Sequence, residues 1–144
     1  SLCFSKGLGT PIGSALVGSQ ALIDRARRWR KVVGGGMRQS GIIAAACQYA
    51  LDHHVADLAD DHRRAARLAE GLAKLPGVKV TAQATNMVFV HFPDAHVKPL
   101  SAWLKEHGIL IELLYATRFV THRDLNDADI DKVIAVMEAY FSRH

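Results

Sequence analysis

The most informative segment lies near the start of the chain and reads Ser5-Lys6-Gly7-Leu8-Gly9-Thr10-Pro11-Ile12-Gly13. Apolar residues precede it, so residues 2–5 and 14–17 are predicted to be short buried strands on either side of a glycine-rich turn. Apolar surroundings lower the pKa of an amine, so that its neutral, nucleophilic form exists near pH 7. The segment therefore predicts a Schiff-base lysine at Lys6, with a surface lysine beside a turn as the alternative.

Two nucleotide-binding motifs are excluded in this segment by their spacing. The glycines at positions 7, 9 and 13 are separated by one residue more than the dinucleotide-binding fingerprint requires. A phosphate-binding loop needs its lysine after the glycines, whereas Lys6 precedes them. The glycines instead leave room for a flat ligand beside the lysine.

The composition is that of a globular protein. The chain has 144 residues, of which 49% are hydrophobic and 22% are charged, enough for one modest domain or a large piece of a bigger one. The longest uncharged run, residues 7–23, contains four glycines and Pro11, which is not the composition of a membrane span. Two cysteines without a CxxC motif and the lack of a recognisable leader predict a soluble, cytoplasmic protein. The first residues resemble the middle of a strand, so we expect a fragment of a longer protein.

The positive charge is concentrated in one segment. The formal net charge is +4, but residues 21–40 carry six basic side chains against Asp24 alone, and residues 41–144 are slightly acidic. A basic segment of this kind favours an anionic partner: nucleic acid, a phosphorylated cofactor or an acidic protein surface. A solvated helix face is the alternative.

Helices are predicted over most of the first half of the chain. Ser19 is a suitable N-cap for a helix that extends to about residue 31, and Gly34-Gly35-Gly36 then interrupts the chain. A second helix, residues 41–51, is almost wholly apolar and is expected to be buried on all sides. A longer amphipathic helix follows at residues 55–75 and ends at Pro76-Gly77.

The second half of the chain alternates between strand and helix patterns. Strands are predicted at residues 78–82, 86–92, 109–113 and 118–122, with a helix at residues 97–107. Asn126 is predicted to cap a final helix. These elements indicate an α+β unit with mixed or antiparallel strand pairing. Within it, Arg118 interrupts an apolar strand, which predicts a carboxylate partner or a structural ion pair.

A metal site is the weaker interpretation of the histidine-rich stretch. The side chains at issue are His53, His54, Asp57, Asp61 and His62. They could share a helical face, but the HExxH pattern is missing and such clusters are usually solvated. We predict no metal ion here.

Four blocks, in order, carry a resemblance to a known family. They are residues 2–18, Arg28-Trp29-Arg30-Lys31-x-x-Gly34-Gly35-Gly36-Met37-Arg38-Gln39-Ser40-Gly41, Thr85-Asn86-Met87-x-Phe89-Val90, and Arg118-x-Val120-Thr121-His122-x-Asp124. Together they span nearly the whole chain. The chain resembles the low-specificity L-threonine aldolases, which are pyridoxal-phosphate enzymes of the aspartate aminotransferase fold.

The resemblance implies a fold and a role for each site residue. It implies an α/β protein of fold type I, in which residues 1–60 form the C-terminal part of the large domain and residues 61–144 form the small α+β domain. Lys6 would bind pyridoxal 5'-phosphate covalently, and Lys31 and Arg38 would lie near the cofactor phosphate. Arg118 would bind the substrate α-carboxylate, since a planar guanidinium matches it with two hydrogen bonds.

The resemblance also implies a reaction and partners. The expected reaction is cleavage of L-threonine or L-allo-threonine to glycine and acetaldehyde, in an oligomer built as a dimer of dimers. We expect other cofactor-binding residues in a segment preceding Lys6, so that residues 1–144 alone would be inactive. Alternatives are β-elimination, transamination or hydroxymethyl transfer on the same cofactor and, from a different class, a nucleic-acid-binding module using residues 25–31.

Overall fold

The computed structural model describes residues 1–143 and contains two compact units. The N-terminal unit, Ser1–Ala56, contains β1 (Leu2–Cys3), β2 (Ser14–Ala15), α1 (Gln20–Val32) and α2 (Gly41–His53). The C-terminal unit begins at Asp57 and contains α3 (Leu58–Leu72), β3 (Lys79–Ala84), β4 (Met87–His91), α4 (Asp94–Glu106), β5 (Ala116–Val120) and α5 (Asp127–Phe141). The domain boundary predicted after residue 60 falls in the first turn of α3.

In the N-terminal unit, β1 and β2 form a short antiparallel ribbon in which Leu2 lies opposite Ala15. Helix α1 begins as predicted, because the Ser19 hydroxyl accepts a hydrogen bond from the backbone N–H of Leu22 at 3.4 Å. The prediction that α2 is buried on all sides is wrong for this unit. Ala50 is its only buried residue and Ile42 is 80% exposed, because a ribbon and one other helix cannot cover every side of α2.

The C-terminal unit is built on a three-stranded antiparallel sheet in the order β3-β4-β5. Val90 on β4 lies opposite Val80 on β3 and Thr117 on β5. Helix α3 contacts β3, β4 and α5, and α4 packs on α5, so the helices cover one face of the sheet. The buried side chains between sheet and helices include Leu68, Leu72, Val88, Val90, Leu100, Leu104, Phe119, Met137 and Tyr140.

The predicted α+β unit with antiparallel pairing is confirmed, with two local differences. Residues 109–113 form no strand, and Leu110 is 83% exposed. A strand is defined by its partner, and the described part of the chain provides none there. Helix α4 begins at Asp94, earlier than predicted, and contains Pro99. The capping box of Asn126 and Asp129 forms at the start of α5, as the sequence predicts.

Candidate active site

Lys6 lies in the loop that joins β1 to β2, and main-chain hydrogen bonds shape this loop. The N–H of Phe4 donates to the Gly13 carbonyl at 2.9 Å, and the N–H of Thr10 donates to the Phe4 carbonyl at 3.1 Å. The Gly9 N–H donates to the carbonyl of Lys6 itself at 2.8 Å. The backbone of Lys6 is therefore held while its side chain stays exposed.

Contacts with α2 and with His54, the residue that follows it, also hold this loop. Gly13 has a φ of +136°, and a Cβ there would lie 2.6 Å from Cys47 Sγ, so only glycine fits. An imidazole nitrogen of His54 also lies 2.7 Å from the Leu8 carbonyl oxygen. These contacts fix the loop, but they do not bury Lys6. The apolar burial predicted for Lys6 is not provided by the described residues, because neighbours in sequence do not enclose its side chain.

Lys31 lies in the last turn of α1, and the triple glycine folds back over that helix end. The Gly35 N–H donates to the Arg30 carbonyl at 2.7 Å. A Cβ on Gly35 would lie 2.8 Å from that carbonyl oxygen, and one on Gly36 would lie 2.6 Å from Lys31 Nζ. Glycine is therefore required at Gly35, where the backbone passes the Arg30 carbonyl, whereas at Gly36 the flexible Lys31 side chain could move aside.

Arg38 follows the triple glycine in an exposed turn, next to Gln39, whose φ is +52°. Neither Lys31 nor Arg38 forms an ion pair with any residue from 1 to 143. Two exposed cations on either side of the triple glycine, without an acidic ion-pair partner among the described residues, can bind an anionic group such as a phosphate.

Arg118 lies at the middle of β5 on the face of the sheet that the helices leave open. Thr117, Phe119 and Thr121 are buried, whereas Arg118 and its alternate neighbours are exposed, as strand geometry requires. The predicted alternative of a structural ion pair is not supported, since Arg118 pairs with no acid among the described residues. Its guanidinium is therefore available to an external carboxylate.

A cavity of about 500 Å³ opens beside Arg118 within the C-terminal unit. Apolar walls come from the unpaired segment at residues 109–111 and from Val133, and the polar lining includes His122, Asp129 and Lys132. Sequence reasoning did not connect Asp129 or Lys132 with Arg118. They come together only because residues of β5 and of the first half of α5 line the same cavity.

Sequence reasoning also placed Asp61 on a solvated helix face, whereas the structure buries it. Its side chain is 1% exposed, and neither carboxylate oxygen has a hydrogen-bond partner among the described residues. Desolvation raises the pKa of Asp61, opposed by the positive charge of Arg64, whose Nη1 lies 3.7 Å from Oδ1. His122, His62 and Arg123 lower that pKa by smaller amounts.

The described residues contain no group of three or more His, Cys, Asp or Glu side chains arranged to bind a metal ion. His54 instead contacts the Leu8 carbonyl, and Asp57 pairs with Arg123. In the part of the chain that the structure describes, no helix combines the length and apolarity needed to cross a membrane.

The fold is similar to that of a solved enzyme structure. A crystal structure from Exiguobacterium sp. 255-15, described as a candidate aromatic amino acid beta-eliminating lyase/threonine aldolase, superimposes with a TM-score of 0.80 and 26% sequence identity. The match covers 96% of this chain and 44% of that one. The chain therefore has the α/β fold of the β-eliminating lyases and threonine aldolases, which confirms the fold class predicted from the sequence.

Sequence comparison gives the family. A model of the family described as "Beta-eliminating lyase" matches residues 1–112, and the chain belongs to that family. It is 46% identical, over 99% of its length, to the low specificity L-threonine aldolase of Escherichia coli strain K12. It is 38% identical, over 95% of its length, to low-specificity L-threonine aldolase 1 of Arabidopsis thaliana. The chain spans 43% and 40% of these two proteins.

Proposed function

We propose that the full-length protein is a pyridoxal-phosphate-dependent lyase that cleaves L-threonine and L-allo-threonine to glycine and acetaldehyde. One observation carries the choice of reaction. The chain is similar over nearly all of its length to proteins named L-threonine aldolases, from a bacterium and from a plant. The described residues support the proposal by offering an accessible amine, two unpaired cations and an unpaired guanidinium.

Lys6 would hold the cofactor and Lys31 and Arg38 would hold its phosphate. The amine of Lys6 is exposed on a loop whose backbone is fixed, which suits covalent attachment of an aldehyde. The two cations lack acidic partners among residues 1–143, so a phosphate would not have to displace one. When bound, pyridoxal phosphate supplies an electron sink for the electron pair of the broken Cα–Cβ bond.

Arg118 would bind and orient the substrate. Two parallel hydrogen bonds from its guanidinium fix the α-carboxylate in a plane and thereby fix the direction of the Cα–Cβ bond. Cleavage breaks that bond, the β-hydroxyl proton leaves and the β-carbon becomes the aldehyde carbon. The α-carbon takes up a proton, so that threonine yields one glycine and one acetaldehyde.

The oligomeric state and location belong to the same proposal. We propose a cytoplasmic homotetramer in which the triple-glycine segment lies at a subunit interface. Large apolar side chains on and beside α1 and α2 are more than half exposed within the N-terminal unit: Trp29, Val33, Met37 and Ile42. Sedimentation of the cofactor-loaded protein at micromolar concentration tests this, and a monomer would contradict it.

Product analysis tests the reaction. Full-length protein incubated with pyridoxal phosphate and L-threonine should become yellow and release acetaldehyde and glycine in equal amounts. Lys6→Ala is the control and should release neither above background. 2-Oxobutyrate with ammonia would indicate β-elimination instead, and an oxo acid formed only with an added amino acceptor would indicate transamination. Salt-sensitive retention on DNA would favour the nucleic-acid alternative.

A further inference from the structure

Asn86 and Thr121 belong to two different sequence motifs and are 35 residues apart, but they form hydrogen bonds with each other at the end of β5. The Thr121 N–H donates to the Asn86 carbonyl at 2.9 Å, and the Asn86 side-chain Nδ2 donates back to the Thr121 carbonyl at 2.8 Å. Asn86 immediately precedes β4 and Thr121 immediately follows β5. This reciprocal pair closes the β4–β5 ladder one position beyond its last strand residues.

The Thr121 hydroxyl extends the pair to a third segment. Its Oγ1 donates to the carbonyl oxygen of Asp61 at 2.7 Å and lies 3.3 Å from the Asn86 carbonyl oxygen. Thr121 is 2% exposed, so water does not compete for these bonds. The end of β5 is thus tied both to the β3–β4 turn and to the first turn of α3. We call Asn86 and Thr121 together the strand clamp.

The position of the strand clamp bears directly on Arg118. Among residues 1–143, β5 pairs with β4 alone, so its other edge has no described neighbour to fix its register. Because side chains alternate between faces, a slip of one residue would turn Arg118 from the open face into the core. The strand clamp fixes β5 at Thr121, three residues beyond Arg118, and therefore opposes a slip of the strand.

We propose that Asn86 and Thr121 are positioning residues for substrate binding: they fix β5 so that Arg118 meets the amino-acid carboxylate at the correct depth and angle. The proposal rests on the proposed role of Arg118. Neither residue is assigned a bond to the substrate. Thr121 borders the cavity beside Arg118, but its hydroxyl donates to the Asp61 carbonyl, and the Asn86 amide donates to the Thr121 carbonyl.

Thr117 offers a matched control on the same strand. It is buried to 3% exposure, points to the same face and is closer in sequence to Arg118 than Thr121 is. Its hydroxyl bonds only with the main chain of Leu114, three residues away, and ties no second element to β5. Thr117→Val and Thr121→Val therefore remove the same chemical group from equally buried sites, but only the second removes the hydroxyl bonds that tie the end of β5 to Asp61 and to the Asn86 carbonyl.

The test uses Thr121→Val, Thr121→Ser, Asn86→Ala and Thr117→Val in full-length, cofactor-loaded protein. Thr121→Val and Asn86→Ala should raise the KM for L-threonine about ten-fold, the loss expected from one misaligned hydrogen bond of about 1.4 kcal/mol. The turnover number should change less than KM does, and the affinity for pyridoxal phosphate should stay as in the wild type. Thr121→Ser keeps the hydroxyl and should restore KM, and Thr117→Val should leave it near the wild-type value.

Binding of glycine, followed by calorimetry, gives a readout independent of turnover. Thr121→Val and Asn86→Ala should weaken it by the same factor as KM. An unchanged KM and glycine affinity in both variants would overturn the proposal, as would an equal effect of Thr117→Val. If Thr121→Val fails to fold, Asn86→Ala still tests the strand clamp, since it removes the side-chain hydrogen bond to the Thr121 carbonyl and, besides that, only the 3.4 Å bond that Asn86 accepts from Thr85 Oγ1. If the wild-type protein binds glycine but does not cleave threonine, the proposed reaction is refuted. The glycine affinities of the variants would then still test the strand clamp.

Discussion

Phe89 on β4 lies directly opposite Arg118 on β5, on the face of the sheet that the helices leave open. The next pairs on this face are Met87 with Val120 and His91 with Ala116. The guanidinium therefore stands among largely apolar side chains, with no acid paired to it among the described residues. The guanidinium is therefore accessible to a carboxylate that arrives from outside.

Replacing Arg118 with lysine tests whether substrate binding needs the two-pronged geometry of the guanidinium in addition to its positive charge. Lysine keeps the positive charge but cannot form two parallel hydrogen bonds with a carboxylate. Losing a charged hydrogen bond at the site should cost about 2–4 kcal/mol, so kcat/KM for L-threonine should fall about 30- to 1,000-fold. The affinity for pyridoxal phosphate should be nearly unchanged. Cofactor titration and steady-state kinetics on one preparation measure both, and collapse of cofactor affinity with normal cleavage would assign Arg118 to the phosphate instead.

Borohydride reduction of the cofactor-loaded protein should fix the pyridoxyl group to Lys6, because its amine is exposed on a loop with a fixed backbone. Peptide mapping by mass spectrometry locates the label. Lys31→Ala is the control: it should keep the label on Lys6 while binding the cofactor more weakly, since one of the phosphate cations is gone. A label found on any other lysine contradicts the assignment.

Asp61→Asn should stabilise the protein at neutral pH. Burial without hydrogen bonds raises the pKa of Asp61 in the folded state, so ionised Asp61 costs stability. The group favours folding below its ordinary pKa, and that contribution is lost as pH rises through the raised pKa. The gain from Asn should therefore be small in acid and reach about 1 kcal/mol at pH 7. Arg64 would still pair with Asp127, at 2.9 Å.

Denaturant unfolding of the full-length protein across a pH series measures this effect. Asp60→Asn is the matched control, because the neighbouring Asp60 side chain is 55% exposed and pairs at the surface with Arg63. Its removal should change stability little at any pH. If Asp61→Asn lowers stability at pH 7, the attraction between Asp61 and Arg64 outweighs the desolvation of the carboxylate.

Gly71→Ala should destabilise the packing of α3 on α5. A Cβ at Gly71 would lie 2.7–2.9 Å from three side-chain carbons of Ile134, closer than carbon atoms can approach. Such overpacking typically costs about 1–3 kcal/mol. Ile134→Ala should relieve the clash, so that the double variant is more stable than the two single losses predict. Thermal unfolding of the four proteins measures the coupling, and strictly additive losses would contradict a direct contact.

Local patterns predicted the elements of the C-terminal unit well. The alternation of buried and exposed residues in β4 and β5 follows from side chains pointing to opposite faces, and the caps at Ser19 and Asn126 involve residues three apart. Such information lies within a few residues of sequence. The predicted strand at residues 109–113 and the burial of α2 were wrong because pairing and burial depend on neighbours that a local pattern does not contain.

The sequence by itself determined the family, the nature of the lysine loop and the residues nominated for cofactor and substrate, because glycine spacing and motif order are properties of the chain. Tertiary structure alone decided that, among the described residues, Arg118 has no acidic partner on its sheet face and the buried Asp61 carboxylate has no hydrogen bond. It also decided that Asn86 and Thr121 meet. These features join segments 25 to 60 residues apart, and whether distant backbones approach depends on how helices pack on a sheet.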